Sequence, residues 1–447
     1  MLKKELFAVL ALFILFQGCS SMLIRENNSF IKVKNTHLEL NGKPYYFTGT
    51  NFWYGYYLGS QTNPGNRERL IRELDNLQSI GITNLRILAS SEDSYIQKSL
   101  KPTIQTEPDI FNDELLDGLD FLIAEMKKRN MHAVIYLNNY WEWSGGMAVY
   151  NKWFNNGKVI DPYNPEHGWV AFMDYTASFY KNEKANEYFR KYIKKIVTRK
   201  NSYTEQFYFE DTTIMAWELA NEPRAGSLTN GFSNLDNYYK WIDETAKYIH
   251  SIDSNHLITT GSEGVIGSLL QEDIFLKAHE SKYIDYRTFH LWAKNWNWFD
   301  AKRIDETYAA AEKNAIEYFN QHMILSHKLN KPITLEEFGL PRDNENYNPG
   351  TPTFARDKYY EKLLSVVYDS AATGAPIAGT NFWVWTGEGR GKNDDNFWRI
   401  GDPFTGDPPH EPQGINSVYD TDFTTINILK DHAAKMILLS EKSFLNK

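Results

Sequence analysis

"IMAWELANEPRAG", residues 214–226, decides how the rest of the chain is read. Ile214, Met215, Ala216 and Trp217 form the apolar run of a buried strand. The stretch then turns polar and sets Asn221 and Glu222 just before Pro223. Proline lacks an N–H and biases the residue before it away from helix, so the strand is expected to run to Glu222 and stop. A carboxylate at the tip of a buried strand either caps a turn or does chemistry. Chemistry would require a second group beside it.

Moving outward from this strand, one rhythm repeats: apolar strand, loop, amphipathic helix. The other strand candidates are "YYFTGTNF" from Tyr45, "TNLRILAS" from Thr83, "HAVIYLNN" from His132 and "HLITTGS" from His256. "YRTFHLWA" from Tyr286, "PITLEEFG" from Pro332 and "IAGTNFWVW" from Ile377 complete the set. Between and after them lie segments with apolar residues at three- and four-residue steps, the period of a helix. Several close with Gly81, Asn130 or Gly374, the residue types that end helices. Eight strands, each followed by a helix, specify a (β/α)₈ (TIM) barrel. An open doubly wound sheet is the alternative, but no strand is followed by a glycine-rich phosphate fingerprint. The long segments 136–185 and 386–422 read as irregular loops rich in Trp, Asn, Gly and Pro. Both follow strands, which places them on the C-terminal face of a barrel, where active sites form.

The composition, 42% hydrophobic and 23% charged over 447 residues, is that of a globular chain. A net charge of −9 argues against a nucleic-acid partner, which selects basic surfaces. The 13 Trp and 28 Tyr fit either a large aromatic core or a surface that stacks flat ligands. The single cysteine, Cys19, rules out intrachain disulfides and cysteine-built metal sites. It closes "MLKKELFAVLALFILFQGCSS", which has Lys3 and Lys4, an apolar run from Leu6 to Phe16, then Gly18-Cys19. That is a secretory signal, and its end resembles a bacterial lipoprotein signal. The expected organisation is a signal over residues 1–19, a polar tether over 20–32 and a single catalytic domain over 33–447. The protein is then exported, either anchored to a membrane by lipid on Cys19, in the periplasm or at the cell surface, or secreted.

If Glu222 ends the fourth strand, its partner should end another strand of the same barrel. "PITLEEFG" offers Glu336 and Glu337. Neighbouring strand residues alternate faces, so one of the two points into the barrel mouth and the other faces the helices or an ion pair. Two carboxylates across a barrel mouth suit glycoside hydrolysis, one as protonated acid and the other as nucleophile or base. No metal or other cofactor is signalled: there is no His-x-x-x-His pair, and His279 and His290 are too differently placed to act as ligands. A Gly-x-Ser-x-Gly nucleophile elbow is also missing.

"WELANEPR" and "EEFG" resemble the acid/base and nucleophile signatures of glycoside hydrolase family 5, in particular its endo-β-1,4-mannanases. "NNYWEWSGGM" from Asn138, "TFHLWAKNWNWF" from Thr288, "GTNFWVW" from Gly379 and "GDPPHEPQGINSVYDTDFTT" from Gly406 are similar to bacterial members. The resemblance implies a retaining endo-β-1,4-mannanase acting on mannan, glucomannan, galactomannan and manno-oligosaccharides. It makes Glu222 the acid/base and Glu337 the nucleophile, with Asn221 on the sugar 2-hydroxyl and His290 in contact with the sugar. Arg86, in "NLRILAS", would sit beside Glu337 and hold it ionised. Trp292 stands where many relatives carry Tyr, so an indole N–H would have to orient the nucleophile. Trp383 would form the floor under the reacting sugar, with Trp385 the alternative. The rivals are a cellulase or exo-mannosidase on the same barrel and a non-catalytic surface glycan-binding lipoprotein.

Overall fold

The structure, a computed structural model, describes residues 29–441. The signal-like stretch with Cys19 and nearly all of the tether lie outside the described residues. Eight parallel strands form one sheet: β1 (Phe47–Asn51), β2 (Asn84–Leu88), β3 (His132–Tyr136), β4 (Ile214–Glu218), β5 (Leu257–Thr259), β6 (Arg287–Leu291), β7 (Ile333–Phe338) and β8 (Ile377–Phe382). Each falls within a segment expected from the sequence. Their order, β5-β4-β3-β2-β1-β8-β7-β6, is that of a barrel opened between β5 and β6. That seam is bridged by Asp285 N donating to Ile258 O at 2.8 Å and His290 N to Glu263 O at 3.1 Å. The fold is a (β/α)₈ barrel.

Eight helices wrap the sheet: α1 (Arg67–Ser79), α2 (Asp113–Lys128), α3 (Glu183–Val197), α4 (Leu235–Ile252), α5 (Glu272–Ala278), α6 (Ile304–Leu329), α7 (Phe354–Ala372) and α8 (Phe423–Glu441). Asparagine starts three of them. Asn66, Asn112 and Asn182 each accept a hydrogen bond from a first-turn backbone N–H, the group a helix start otherwise leaves unpaired. Gly81, Asn130 and Gly374 end helices in the left-handed region, at φ of 80°, 52° and 86°. The N-terminal end of the barrel is plugged by a small antiparallel sheet (Lys32–Lys34, His37–Leu40 and Lys43–Pro44). Ile31 and Leu38 pack there on Phe47, Val134, Met215 and Tyr286. Packing therefore begins inside the segment read as tether.

The loop after β3 differs from the irregular segment expected. It contains helices over Gly146–Trp153 and Gly168–Ala177, because "GMAVYNKW" and "GWVAFMDYTA" bury Met147, Val149, Tyr150, Phe172 and Tyr175. The β8 loop is folded by a buried Asp407, whose carboxylate accepts from Gly414 N, Asn416 N and Ser417 Oγ at 2.8, 3.0 and 2.6 Å. Both loops stand over the C-terminal mouth.

Candidate active site

β4 ends at Glu218, four residues before Glu222, so the strand does not carry Glu222 at its tip. The intervening backbone stays tied to its neighbours instead. Asn221 N donates to Asn138 O at 2.9 Å, Tyr140 N to Asn221 O at 3.0 Å and Glu222 N to Gly261 O at 2.9 Å. Glu222 adopts φ +49°, uncommon for a residue with a side chain. Pro223 disfavours right-handed helix at this position. The resulting turn aims the carboxylate across the mouth toward β6 and β7.

Glu222 is nearly buried and held by two short hydrogen bonds. Trp141 Nε1 donates to its Oε2 and His290 Nδ1 lies on its Oε1, both at 2.6 Å. The Arg224 guanidinium stands 3.9 Å away. Burial works to raise this carboxyl, but the hydrogen bond and charge of His290, helped by Arg224 and Trp141, pull it down to about 2. Across the mouth, Glu337 accepts from Arg86 Nη1 at its Oε1 and from Trp292 Nε1 at its Oε2, the latter at 3.2 Å. His290 Nδ1 is 3.2 Å from the same Oε2. One oxygen of Glu222 and one of Glu337 lie within 4.8 Å of each other.

Arg86 organises the floor of the site. It is fully buried, forks onto Glu218 through Nε and Nη2 at 3.0 and 2.6 Å, and donates to Asn51 Oδ1 and Asn221 Oδ1 at 3.1 and 2.8 Å. Its planar fork over the Tyr136 ring, 4.5 Å from the centroid, suits a sealed multi-carboxylate position better than a lysine would. Asn221 is pinned at both ends, its Nδ2 donating to Asn139 Oδ1 at 3.1 Å, which leaves its second amide hydrogen for a substrate. Trp383 packs edge-on against Trp292 with centroids 5.8 Å apart. The structure thus brings Arg86, Asn221, Glu222, His290, Trp292, Trp383 and Glu337 into one site. Trp385 is not part of it: β8 ends at Phe382, and the Trp385 indole turns outward to donate to Glu73 at 2.8 Å.

Sequence reasoning passed over four features. Glu218, inside the quoted strand, is the bidentate partner of Arg86; burial pushes it up to about 8 against that attraction. A carboxylate within an apolar strand is costly unless paired, and that cost is the signal that marks Glu218 in the sequence. Trp141 on Glu222 could not be singled out among 13 tryptophans. Arg224, Glu263 and Trp296 form a further group, with Arg224 paired to Glu263 and Trp296 Nε1 donating to Glu263 at 3.2 Å. Finally, Phe289 is level with Leu335 and His290 with Glu337, so Glu336 is an extra residue in β7. This bulge defeats strict alternation. Glu336 turns inward as well, fully buried, into a long ion pair 3.7 Å from Arg86 Nε.

Glu222, His290 and Glu337 are close enough together to hold a metal ion. The chemistry of the set points elsewhere. Burial opposes a charged imidazole, yet Glu337, Glu222 and Glu336 raise His290 well above its ordinary value, and an imidazolium has no lone pair to offer. Two facing carboxyl groups, with an arginine behind one and hydrogen-bond donors on the other, are suited instead to acid/base and nucleophilic work on a substrate held between them.

A family model described as GH family 5 beta-mannosidase-like matches residues 28–441. Mannan endo-1,4-beta-mannosidase 4 of Solanum lycopersicum is 29% identical over 381 residues, 83% of this chain and 87% of that protein. Mannan endo-1,4-beta-mannosidase 5 of Arabidopsis thaliana is 30% identical over 404 residues, 86% of this chain and 84% of that one. The crystal structure of the family 5 mannosidase from Rhizomucor miehei is similar with a TM-score of 0.84 and 33% identity, covering 93% of this chain and 99% of that one. The endo-1,4-beta-mannanase from the same fungus shares the fold, with a TM-score of 0.66 at 24% identity over 92% and 100% of the two chains. The chain belongs to glycoside hydrolase family 5, in its beta-mannosidase-like group.

Proposed function

We propose that the protein hydrolyses β-1,4-mannosidic bonds with retention of configuration. Glu337 attacks the anomeric carbon, and Glu222 first protonates the leaving oxygen and then takes a proton from the incoming water. The observation that carries this reading is the close approach of the two carboxyl groups, within 4.8 Å. Retaining glycosidases hold them about 5–5.5 Å apart, whereas inverting ones leave room for a water. Arg86 and Trp292 orient Glu337 for attack. Asn221 meets the 2-hydroxyl, whose orientation separates mannose from glucose. Trp383 supplies the stacking face.

The mode of cleavage we infer is removal of sugars from chain ends. The β8 loop is tied across one side of the mouth to the loops after β1, β2 and β3. Trp53 Nε1 donates to Gly406 O at 2.5 Å, Lys98 sits 4.0 Å over the Phe397 ring, and Trp143 stacks on His410 at 6.4 Å. Such a wall would shorten the cleft beyond Trp383, which favours action at a chain end. The endo-acting reading is favoured by the curated plant relatives. Locust bean gum and mannohexaose separate the two. An exo enzyme releases mannose or mannobiose while viscosity holds, and an endo enzyme collapses viscosity early and yields mixed lengths. Activity on carboxymethylcellulose with none on either mannan substrate would overturn the substrate class.

Export with lipid on Cys19 remains part of this proposal. It predicts metabolic labelling by palmitate that is lost in Cys19→Ala.

A further inference from the structure

A general acid must hold a proton when substrate arrives, yet His290, Arg224 and Trp141 draw the Glu222 carboxyl toward its charged form. The proton has to be kept within reach. His290 is the one group joined to Glu222 by a hydrogen bond and facing another carboxyl on its far side. Its Nδ1 lies 2.6 Å from Glu222 Oε1, and its Nε2 lies 3.8 Å from Glu336 Oε2. That second pair stands out. His290 Nε2 and both Glu336 oxygens are buried with no hydrogen-bond partner among the described residues. Unpartnered buried polar atoms are rare and call for a reason. Here two of them face each other, about 1 Å beyond hydrogen-bond distance. The β7 bulge that turns Glu336 inward creates the juxtaposition, since regular alternation would have sent it toward the helices.

We propose that His290 stores the catalytic proton for Glu222, and that Glu336 is the positioning residue that makes this possible by accepting from His290 Nε2–H. This rests on the reading of Glu222 as acid/base. In the resting site His290 carries hydrogen on both ring nitrogens. When a substrate displaces solvent, the Nδ1 proton passes to Glu222 Oε1 and on to the leaving oxygen. The ring remains neutral with its hydrogen on Nε2, the tautomer that Glu336 selects. In the second half-reaction Glu222 takes a proton from water and returns it to Nδ1. No proton is gained or lost over the cycle. Around the imidazole stand Glu222, Arg224 and Glu218 from β4 and its loop, Glu263 from the β5 loop, Glu336 and Glu337 from β7, and Arg86 from β2. Burial pushes Glu218 up to about 8 and Glu263 up to about 7, against the pull of Arg86 and Arg224.

The test is Glu336→Gln, read as kcat/KM against pH on mannobiose and on dinitrophenyl β-mannoside. Without the acidic neighbour the imidazolium is less favoured, so the alkaline limb on mannobiose should move about one unit or more to lower pH. Above the limb the loss should be about tenfold. The dinitrophenyl group departs without protonation, so the loss on that substrate should be several-fold smaller. Equal losses on both substrates, or an unmoved limb, would overturn the proposal and leave Glu336 structural. Neutron diffraction on the wild type needs no variant. It should find deuterium on both ring nitrogens of His290 near pH 6.5, with Nε2–D directed at Glu336; a bare Nε2 or a bare Nδ1 contradicts the proposal. Failure here differs from failure of the mannosidase reading, which would appear as a wild type inert on mannosides.

Discussion

Two buried sites of this molecule set carboxylate against arginine and are finished differently. On the helical shell, Asp120 of α2 has every acceptor position occupied. Arg199 forks onto it at 2.8 and 2.7 Å, the Tyr208 hydroxyl donates at 2.6 Å and Ser202 N at 3.2 Å. At the barrel mouth, Glu218, Glu222, Glu336 and Glu337 share Arg86 and His290, and both oxygens of Glu336 go without a hydrogen bond. A saturated cluster can only hold its neighbours in place. An undersupplied one has protons and charges that can still move, and it stores the cost of their burial for use by a substrate. The first should govern stability, the second turnover.

Glu337→Gln should break the comparison most sharply if it is wrong. Turnover of mannohexaose should fall by ~10⁴-fold or more, the scale of losing a nucleophile, while Tm moves little because Arg86 keeps Glu218. Glu336→Gln measured beside it should retain far more turnover. A pair of equally dead variants would mean that the two adjacent carboxyls have been assigned wrongly. Asp120→Ala is the mirror experiment. Chemical denaturation should show a loss near the low end of the ~3–5 kcal/mol for breaking a buried pair, since Arg199 reaches solvent. Activity per folded molecule at low temperature should hold, and a drop in kcat without a drop in stability would erase the distinction.

Trp292→Phe sharpens the mouth side. Trp292 Nε1 is 3.2 Å from Glu337. Losing one donor to a charged group should cost roughly tenfold to a hundredfold in kcat. Trp292→Tyr should keep most of it, because a phenol also donates. Equal kcat for the two variants would reduce Trp292 to a packing surface.

Glu92 supplies the smallest effect and a test through pH. It is fully buried, accepts from Gly146 N at 2.7 Å and Gln105 Nε2 at 3.2 Å, and has no cationic partner among them. Burial pushes it up to about 8. A carboxyl whose folded value is raised contributes stability that is complete below its unfolded value near 4.5 and is lost as pH climbs toward 8. Glu92→Gln removes that dependence. Between pH 5 and pH 8 the stability difference between variant and wild type should shift in favour of the variant by about 1–3 kcal/mol. A pH-independent difference would show that Glu92 does not take up a proton on folding.

The sequence announced the barrel because its strands are short apolar runs and its helices keep a clear period. All eight strands lie in the expected segments and each is followed by a helix, with Asn130 and Gly374 closing helices as read. It announced less of the mouth. The β3 loop looked irregular because two short helices are interrupted by Gly, Pro and Asn. The bulge at Glu336 has no sequence mark, since it arises from how β7 registers on β6 and not from the residues of β7 alone. Trp383 and Trp385 looked equivalent by alternation, but the chain leaves the sheet between them. Glu218 was legible in principle, as a charge inside an apolar strand that already ended in another.

The assignment of Glu222 and Glu337 across the mouth is tested most directly by Glu222→Ala. On mannan the variant should be slower by ~10²–10⁴-fold, the contribution of a general acid. On dinitrophenyl β-mannoside it should stall at the glycosyl-enzyme, and added azide should then restore turnover. The space vacated by the carboxylate admits the anion to the face that water normally attacks. The account predicts that the product is the β-mannosyl azide. An α-mannosyl azide, or turnover that azide leaves unchanged, would contradict it.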